Sequence, residues 1–185
     1  MLFVLQKEAT DKERQKIRMG LSNVWTYCAT MNRLKRAGQV FLFLGIAFLP
    51  ALGALLVKTD GWYTALNKPV WTPPSYLFAP VWTLLYLMIG LSGYFAWTRG
   101  GRQSRLEEFV IYGTQLFLNA LWTPFFFGLH NPDWALGLLI LLWFAVLLCI
   151  GVFSLRNRLA AWLLMPYFIW ISFAGALNAV IMVNN

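Results

Sequence analysis

Residues 134–153 read WALGLLILLWFAVLLCIGVF and contain no charged residue. An α-helix rises about 1.5 Å per residue, so this run is about 30 Å long, which matches the hydrocarbon core of a bilayer. Lipid offers no hydrogen-bond partner to the backbone, and the run lacks the polar and apolar alternation of a membrane β-strand. The stretch is therefore predicted to be a transmembrane helix.

Four further apolar runs accompany this one. The five predicted spans lie at about residues 39–57, 80–97, 109–127, 134–153 and 159–183. Only 12% of the residues are charged, against about 25% in soluble domains. The sequence thus predicts an all-α integral membrane protein, a bundle of five transmembrane helices. Residues 38–185 form this membrane domain, and residues 1–37 are a basic extension that we expect to be cytoplasmic and partly disordered.

The basic residues indicate an orientation. Of the 15 Lys and Arg, eight precede the first run, three follow the second and two follow the fourth. With five spans these 13 share one side, and only Lys58 and Lys68 lie on the other. In a plasma membrane the positive-inside rule then places the N-terminus in the cytoplasm. The outer membranes of bacteria and mitochondria are alternative locations.

The first loop, which connects the first two spans, is rich in aromatic residues and proline. It carries Trp62, Tyr63, Trp71, Pro73, Pro74 and Tyr76. Adjacent prolines stiffen the backbone, and a flexible linker needs no large aromatic side chains. We expect an ordered lid over the mouth of the bundle; an interfacial aromatic belt is the alternative.

Polar residues at membrane depth are the second signal. Gln115, Asn119 and Trp122 are spaced by four and three residues, so they share one face of a helix. Trp82 and Trp170 occupy two other spans. Amides such as these commonly join helices to each other, whereas indoles on three helices favour a pocket for a flat ligand.

Several chemistries have no support in the sequence. No predicted span contains a carboxylate. No phosphate-binding glycine loop, hydrolase elbow or metal-ligand pair occurs in the sequence. His130 is interpreted as a solvated loop residue, and Cys28 and Cys149 as free thiols. The net charge of +8 is interpreted as membrane orientation and not as nucleic-acid binding.

Five segments together carry a resemblance to a known family. They are WY at 62–63 with KPVWTPP at 68–74, PVWTLLY at 80–86, QLFLNALWTPFFF at 115–127, PYFIW at 166–170, and FA at 173–174 with LN at 177–178. In this order they resemble the translocator protein (TspO, tryptophan-rich sensory protein) family over about residues 38–181.

The resemblance implies a five-helix bundle, often a homodimer, that binds protoporphyrin IX or haem in a pocket near the first loop. By position, the implied ligand-binding residues are Tyr63, Trp71, Pro73, Pro74, Trp82, Asn119, Trp122, Trp134, Trp170, Ala174 and Leu177. No metal site and no required cofactor are implied. The Tyr-plus-Arg sterol motif of animal members is missing from the end of the last span, although sterol binding elsewhere stays open.

These observations leave three functions. The first is a tetrapyrrole-binding sensor or transporter. The second is an enzyme that degrades porphyrin with light and oxygen, for which the resemblance implies Trp82 and Trp170 as catalytic residues. The third is a sterol- or lipid-binding protein or a scaffold whose basic extension binds a protein or anionic lipid.

Overall fold

The structure is a computed structural model that describes residues 15–16, 30–53, 57, 61–99 and 105–185. Within these ranges every regular element is helical and no strand occurs. The chain divides into two compact units, residues 1–39 and residues 40–185. The second unit holds the helix bundle, and the prediction of an all-helical membrane fold is confirmed.

The bundle is built from long helices and short connecting turns. In chain order these are α1 (Thr30–Gly53), α2 (Gly61–Ala65), a 3₁₀ turn (Ser75–Leu77), α3 (Phe78–Arg99), α4 (Arg105–Thr123), a π-helical turn (Pro124–Gly128), α5 (Pro132–Arg156) and α6 (Arg158–Asn184). Helix α1 starts nine residues before the predicted span. Most of the predicted extension, residues 1–37, lies outside the described residues.

Four described helices, α1, α3, α5 and α6, are long and apolar enough to cross a bilayer. Helix α4 is not counted among them, because Arg105, Glu107 and Glu108 stand in its first turn and two amides follow. The predicted membrane protein with several spans is confirmed, but the number of five spans is not.

The helices pack around a common interior. Helix α5 lies against α4 and α6, and α3 lies against α6. Helix α1 approaches α3 closely at Gly90, where a Cβ atom would lie 2.8 Å from Leu44 Cδ2 and 3.1 Å from the Phe43 carbonyl oxygen. Only glycine fits such an approach without moving a backbone.

Asparagine side chains begin two of the helices. Asn131 Oδ1 accepts from the Trp134 amide at 3.1 Å and so starts α5. Asn157 Oδ1 accepts from the Leu159 amide at 3.1 Å, and its Nδ2 donates to the Phe95 carbonyl at 3.3 Å. Both caps satisfy backbone donors that a helix start leaves open.

Hydrogen bonds also join the helices inside the bundle. Ser92 Oγ donates to the Ala160 carbonyl at 2.7 Å, which ties α3 to α6. The Tyr112 hydroxyl donates to the Ile89 carbonyl at 3.1 Å, which ties α4 to α3. Polar groups in this region serve as contacts between helices.

Candidate functional site

A pocket opens between the first loop and the ends of α3, α4 and α6. Its internal cavity measures about 40 Å³. Sites for small molecules typically measure about 300–1,000 Å³, so the cavity has to widen to admit one. The pocket is lined by Tyr63, Phe78, Trp122, Phe126, Phe127, Trp170, Phe173, Ala174, Leu177, Asn178 and Ile181.

The π-helical turn supplies one wall. Pro124 has no amide hydrogen, and the turn that follows it is closed by the Leu129 amide, which donates to the Pro124 carbonyl at 2.9 Å. Such wide turns shift the side chains after them and recur at functional sites. Here Phe126 stacks on Trp122 at 5.1 Å between ring centroids and meets Phe127 at 4.8 Å.

Helix α6 supplies the opposite wall, because 170, 174, 177 and 181 repeat at helical spacing. Trp170 packs edge-on against Phe78 of α3 at 5.9 Å and lies 5.7 Å from Phe173. Ala174, the next lining residue, presents only a methyl group. The free space of the pocket therefore lies beside a small residue between large rings.

The first loop covers the pocket. The Tyr63 ring of α2 packs edge-on against Phe126 at 6.3 Å and Phe127 at 5.3 Å. Lys68 Nζ lies 4.7 Å from the centre of the Tyr63 ring and donates to the Leu66 carbonyl at 3.2 Å. It also donates to the Tyr63 carbonyl, so this cation serves to hold the end of α2.

The loop is also tied to the end of α6. The Asn67 amide donates to Asn185 Oδ1 at 2.9 Å, and Asn185 Nδ2 donates to the Asn67 carbonyl at 3.4 Å. Trp71 packs edge-on against Phe173 at 5.6 Å. A covering loop held by exposed hydrogen bonds and ring contacts can open at low cost.

Three buried polar atoms among the lining residues have no hydrogen-bond partner within the described part of the chain. They are Nε1 of Trp122, Nε1 of Trp170 and Oδ1 of Asn178. Two are donors and one is an acceptor. An unpaired polar atom costs free energy in an apolar setting, and natural proteins retain few of them. They are the hydrogen-bonding groups that the lining residues leave unused within the described part of the chain.

The pocket is electrically neutral. None of its lining residues carries a charge, and Tyr63 is the one with a titratable side chain. Burial raises the pKa of the Tyr63 hydroxyl above its ordinary value of 10.0. Tyr63 therefore stays neutral at physiological pH. No group of three or more His, Cys, Asp or Glu that could hold a metal ion occurs among the described residues.

The structure brings together five of the predicted site residues. Tyr63, Trp122, Trp170, Ala174 and Leu177 line the pocket. The other predicted residues lie elsewhere. Trp71 is at the rim through its contact with Phe173, Pro73 and Pro74 belong to the covering loop, and Trp134 is 67% exposed at the start of α5.

Asn119 and Trp82 sit behind the pocket wall. Asn119 is buried; it accepts from the Tyr86 hydroxyl at 3.2 Å, and its Nδ2 donates to the Tyr167 hydroxyl at 2.6 Å. Trp82 stacks on Tyr86 at 5.4 Å and meets Trp170 edge-on at 6.5 Å. Trp82 therefore supports Trp170, Asn119 joins α4 to α3 and α6, and neither residue lines the pocket.

Sequence reasoning missed six lining residues, namely Phe78, Phe126, Phe127, Phe173, Asn178 and Ile181. Asn178 and Ile181 continue the face of α6 that holds Trp170 and Ala174, so helical spacing could have found them. Phe126 and Phe127 depend on the π-helical turn, for which the sequence offers Pro124 as the only signal.

These features define a class: a helical membrane protein with several spans and a neutral aromatic pocket at one end of its bundle. Comparison with known families shows to which family the chain belongs. Residues 39–183 match the model of the TspO/MBR family. The chain belongs to the TspO/MBR family.

Curated relatives occur in archaea, bacteria and animals. The chain is 43% identical to the tryptophan-rich protein TspO of Archaeoglobus fulgidus, over 84% of this chain and 99% of the relative. It is 36% identical to the tryptophan-rich sensory protein of Cereibacter sphaeroides, over 74% and 84%. It is also 36% identical to the translocator protein of Bos taurus, over 73% and 85%.

Proposed function

We propose that this protein binds a tetrapyrrole, protoporphyrin IX or haem, in the pocket under the first loop and acts as a membrane sensor or transporter. The observation that carries the proposal is the lining itself. Seven aromatic residues surround space beside Ala174, namely Tyr63, Phe78, Trp122, Phe126, Phe127, Trp170 and Phe173. Flat, largely apolar ring systems stack on such side chains.

The covering loop supports the same function. A macrocycle is broad, and the cavity of about 40 Å³ is far smaller than a usual small-molecule site, so the loop has to move outward on binding. A ligand can shift the loop only by binding its open and closed positions with different affinity. Loop position is thus the variable that a sensor would report or a transporter would cycle.

Two changes to α6 test the pocket. Ala174→Phe fills the space between the rings, and Ala176→Phe adds the same bulk two residues away on an exposed face. Protoporphyrin quenching of tryptophan fluorescence should saturate in the wild type and in Ala176→Phe. In Ala174→Phe the affinity should fall by at least about tenfold. Equal affinities in the two variants would refute a site beside Ala174.

We also propose that α4, with its π-helical turn, is the fifth span. Its polar side chains Gln115 and Asn119 are buried inside the bundle, whereas Val110 and Phe117 are exposed on its outer face. The helix therefore presents apolar residues to lipid, although its average composition is less apolar than that of the other helices.

An odd number of spans puts the two ends of the chain on opposite sides, with the basic N-terminus in the cytoplasm. Single cysteines at Lys16 and Asn184, in a background with Cys28→Ser and Cys149→Ala, should label from opposite sides of sealed vesicles. Labelling of both from one side would contradict five spans.

A second candidate is light- and oxygen-dependent breakdown of porphyrin. The observation in its favour is the edge contact of Trp82 with Trp170 at 6.5 Å, because Trp170 lines the pocket and Trp82 lies behind it. An illuminated, aerobic sample of bound protoporphyrin should bleach more slowly in Trp82→Phe, even though Trp82 does not contact the ligand. Bleaching at the wild-type rate in both Trp82→Phe and Trp170→Phe would eliminate this candidate.

A further inference from the structure

The side-chain amide of Asn178 is fixed in one orientation. Its Nδ2 donates to the Pro132 carbonyl at 2.8 Å, and a carbonyl oxygen only accepts. The amide cannot flip without losing that bond. Its Oδ1 is therefore the atom left over, buried and without a partner in the described part of the chain. Asn178 is only 2% exposed and lines the pocket, so it offers the pocket a fixed acceptor.

The pocket offers donors as well. The indole N–H groups of Trp122 and Trp170 are buried and have no partner within the described residues. An indole nitrogen can donate only, so neither group can satisfy Asn178 by exchanging roles. A ligand that pairs with all three atoms must both accept and donate hydrogen bonds.

The group of the ligand that meets Asn178 must be uncharged. No lining residue carries a charge, and the Lys68 ammonium already binds backbone carbonyls and the Tyr63 ring. An ionised carboxylate here would be desolvated without a cation, and Asn178 Oδ1 would repel it. A protonated carboxylic acid or an amide meets no such penalty, because each has one carbonyl oxygen and one hydrogen to donate.

We infer that Asn178 makes this pocket selective for a neutral acyl group that donates a hydrogen bond, a protonated carboxylic acid or an N–H amide. Its O–H or N–H donates to Asn178 Oδ1. The inference rests on the proposed function, since the acyl groups in question are the propionic acids at the rim of a porphyrin. Asn178 acts here as a specificity-determining residue.

Three porphyrins with one ring system test this selectivity in the wild-type protein. They are protoporphyrin IX, its diamide with two primary amides, and its dimethyl ester, which has carbonyl groups but no hydrogen to donate there. The diamide should bind about tenfold more tightly than the ester, because the ester leaves Asn178 Oδ1 unpaired. Equal affinity of diamide and ester would overturn the inference and leave the proposed function standing. Failure of all three to bind would refute the proposed function.

The pH dependence separates the acid from the amide. The free propionic acids are ionised above about pH 5, so binding in the neutral form takes up a proton and weakens as pH rises. Protoporphyrin IX should lose up to about tenfold in affinity per pH unit, and the diamide should not change. The diamide also controls for protein groups near the pocket, which are Tyr63, Lys68, His130 and Asp133. Tighter binding of the acid at higher pH would contradict a neutral bound form.

A variant assigns the effect to Asn178. In Asn178→Leu the diamide should lose its advantage over the ester, because both then meet an apolar side chain. Asn184→Leu, at the exposed end of the same helix, should keep the wild-type ratio. The ratio of the two affinities does not depend on the fraction of folded protein, so partial unfolding of the variant leaves this ratio unchanged. A preserved ratio in Asn178→Leu would place the selectivity elsewhere.

Discussion

The middle of the bundle and its pocket end hold similar polar residues in opposite situations. In the middle, Asn119 joins Tyr86 and Tyr167, and Ser92 joins the backbone of α6. At the pocket end, the buried indole N–H groups of Trp122 and Trp170 have no partner in the described chain. Paired groups hold helices together, whereas the unpaired groups of the pocket lining have no such structural role among the described residues.

Gln115 shows why open space is part of this criterion. It is fully buried in the middle of the bundle, and neither atom of its amide has a partner among the described residues. It does not line the pocket. An unpaired polar atom alone therefore does not identify a binding site.

The largest effect should come from disturbing the close approach of α1 and α3 at Gly90. Gly90→Leu places atoms where Leu44 and the Phe43 carbonyl already lie, so α1 has to move away from α3. We expect a loss of about 3 kcal/mol in the free energy of unfolding, measured by thermal unfolding in detergent. Gly137→Leu is the control, because nothing lies within 4 Å of that position. Equal stability of the two variants would contradict this packing.

The next effect contrasts the two kinds of polar residue directly. Asn119→Leu removes the hydrogen bonds that Asn119 makes with the hydroxyls of Tyr86 and Tyr167. It should lower the free energy of unfolding by about 2 kcal/mol. Trp122→Phe removes a donor that has no protein partner and keeps an aromatic ring. It should change stability much less. A larger loss in Trp122→Phe than in Asn119→Leu would reverse the distinction between the two regions.

Affinity should show the opposite order. Trp122→Phe and Trp170→Phe each remove a donor from the pocket and should weaken protoporphyrin binding about tenfold in a fluorescence titration. Trp134→Phe and Trp162→Phe should leave it unchanged, because these indoles are 67% and 68% exposed. A loss in Trp134→Phe would restore the role that family resemblance implies and the pocket geometry does not support.

The smallest effect concerns the covering loop. Asn185→Leu removes both hydrogen bonds to the Asn67 backbone. Because those bonds are exposed, we expect only a twofold or so faster release of protoporphyrin, about 0.5 kcal/mol, in stopped-flow displacement. Asn184→Leu should release it at the wild-type rate. An unchanged rate in Asn185→Leu would show that the ring contacts alone hold the loop.

The sequence predicted the parts of this protein that follow from composition and helical period. Long apolar runs predicted the membrane helices, and spacing predicted that Gln115 and Asn119 share one helix face, which the structure buries. Hydropathy was less informative for α4, whose inward amides and first-turn acids lower its apolar character. The number of spans therefore cannot be predicted from composition alone.

The details of the pocket were harder to predict. Family resemblance placed Trp82, Asn119 and Trp134 among the pocket residues. In the structure Trp82 and Asn119 lie behind the pocket wall, and Trp134 is exposed at the start of α5. Phe126 reaches the pocket through a π-helical turn, and no sequence period specifies such a turn. The free Oδ1 of Asn178 depends on a bond to Pro132, 46 positions away in the chain, which only tertiary structure reveals.

The central proposal is that the unpaired atoms at the pocket end bind a tetrapyrrole. Its most direct test is the rise in thermal unfolding temperature on adding protoporphyrin IX. A ligand at about 100 times its Kd stabilises the folded state by about 2.7 kcal/mol. We predict a clear rise for the wild type and Trp162→Phe, and a smaller rise for the double variant Trp122→Phe with Trp170→Phe. The same rise in all three proteins would contradict binding at these indoles.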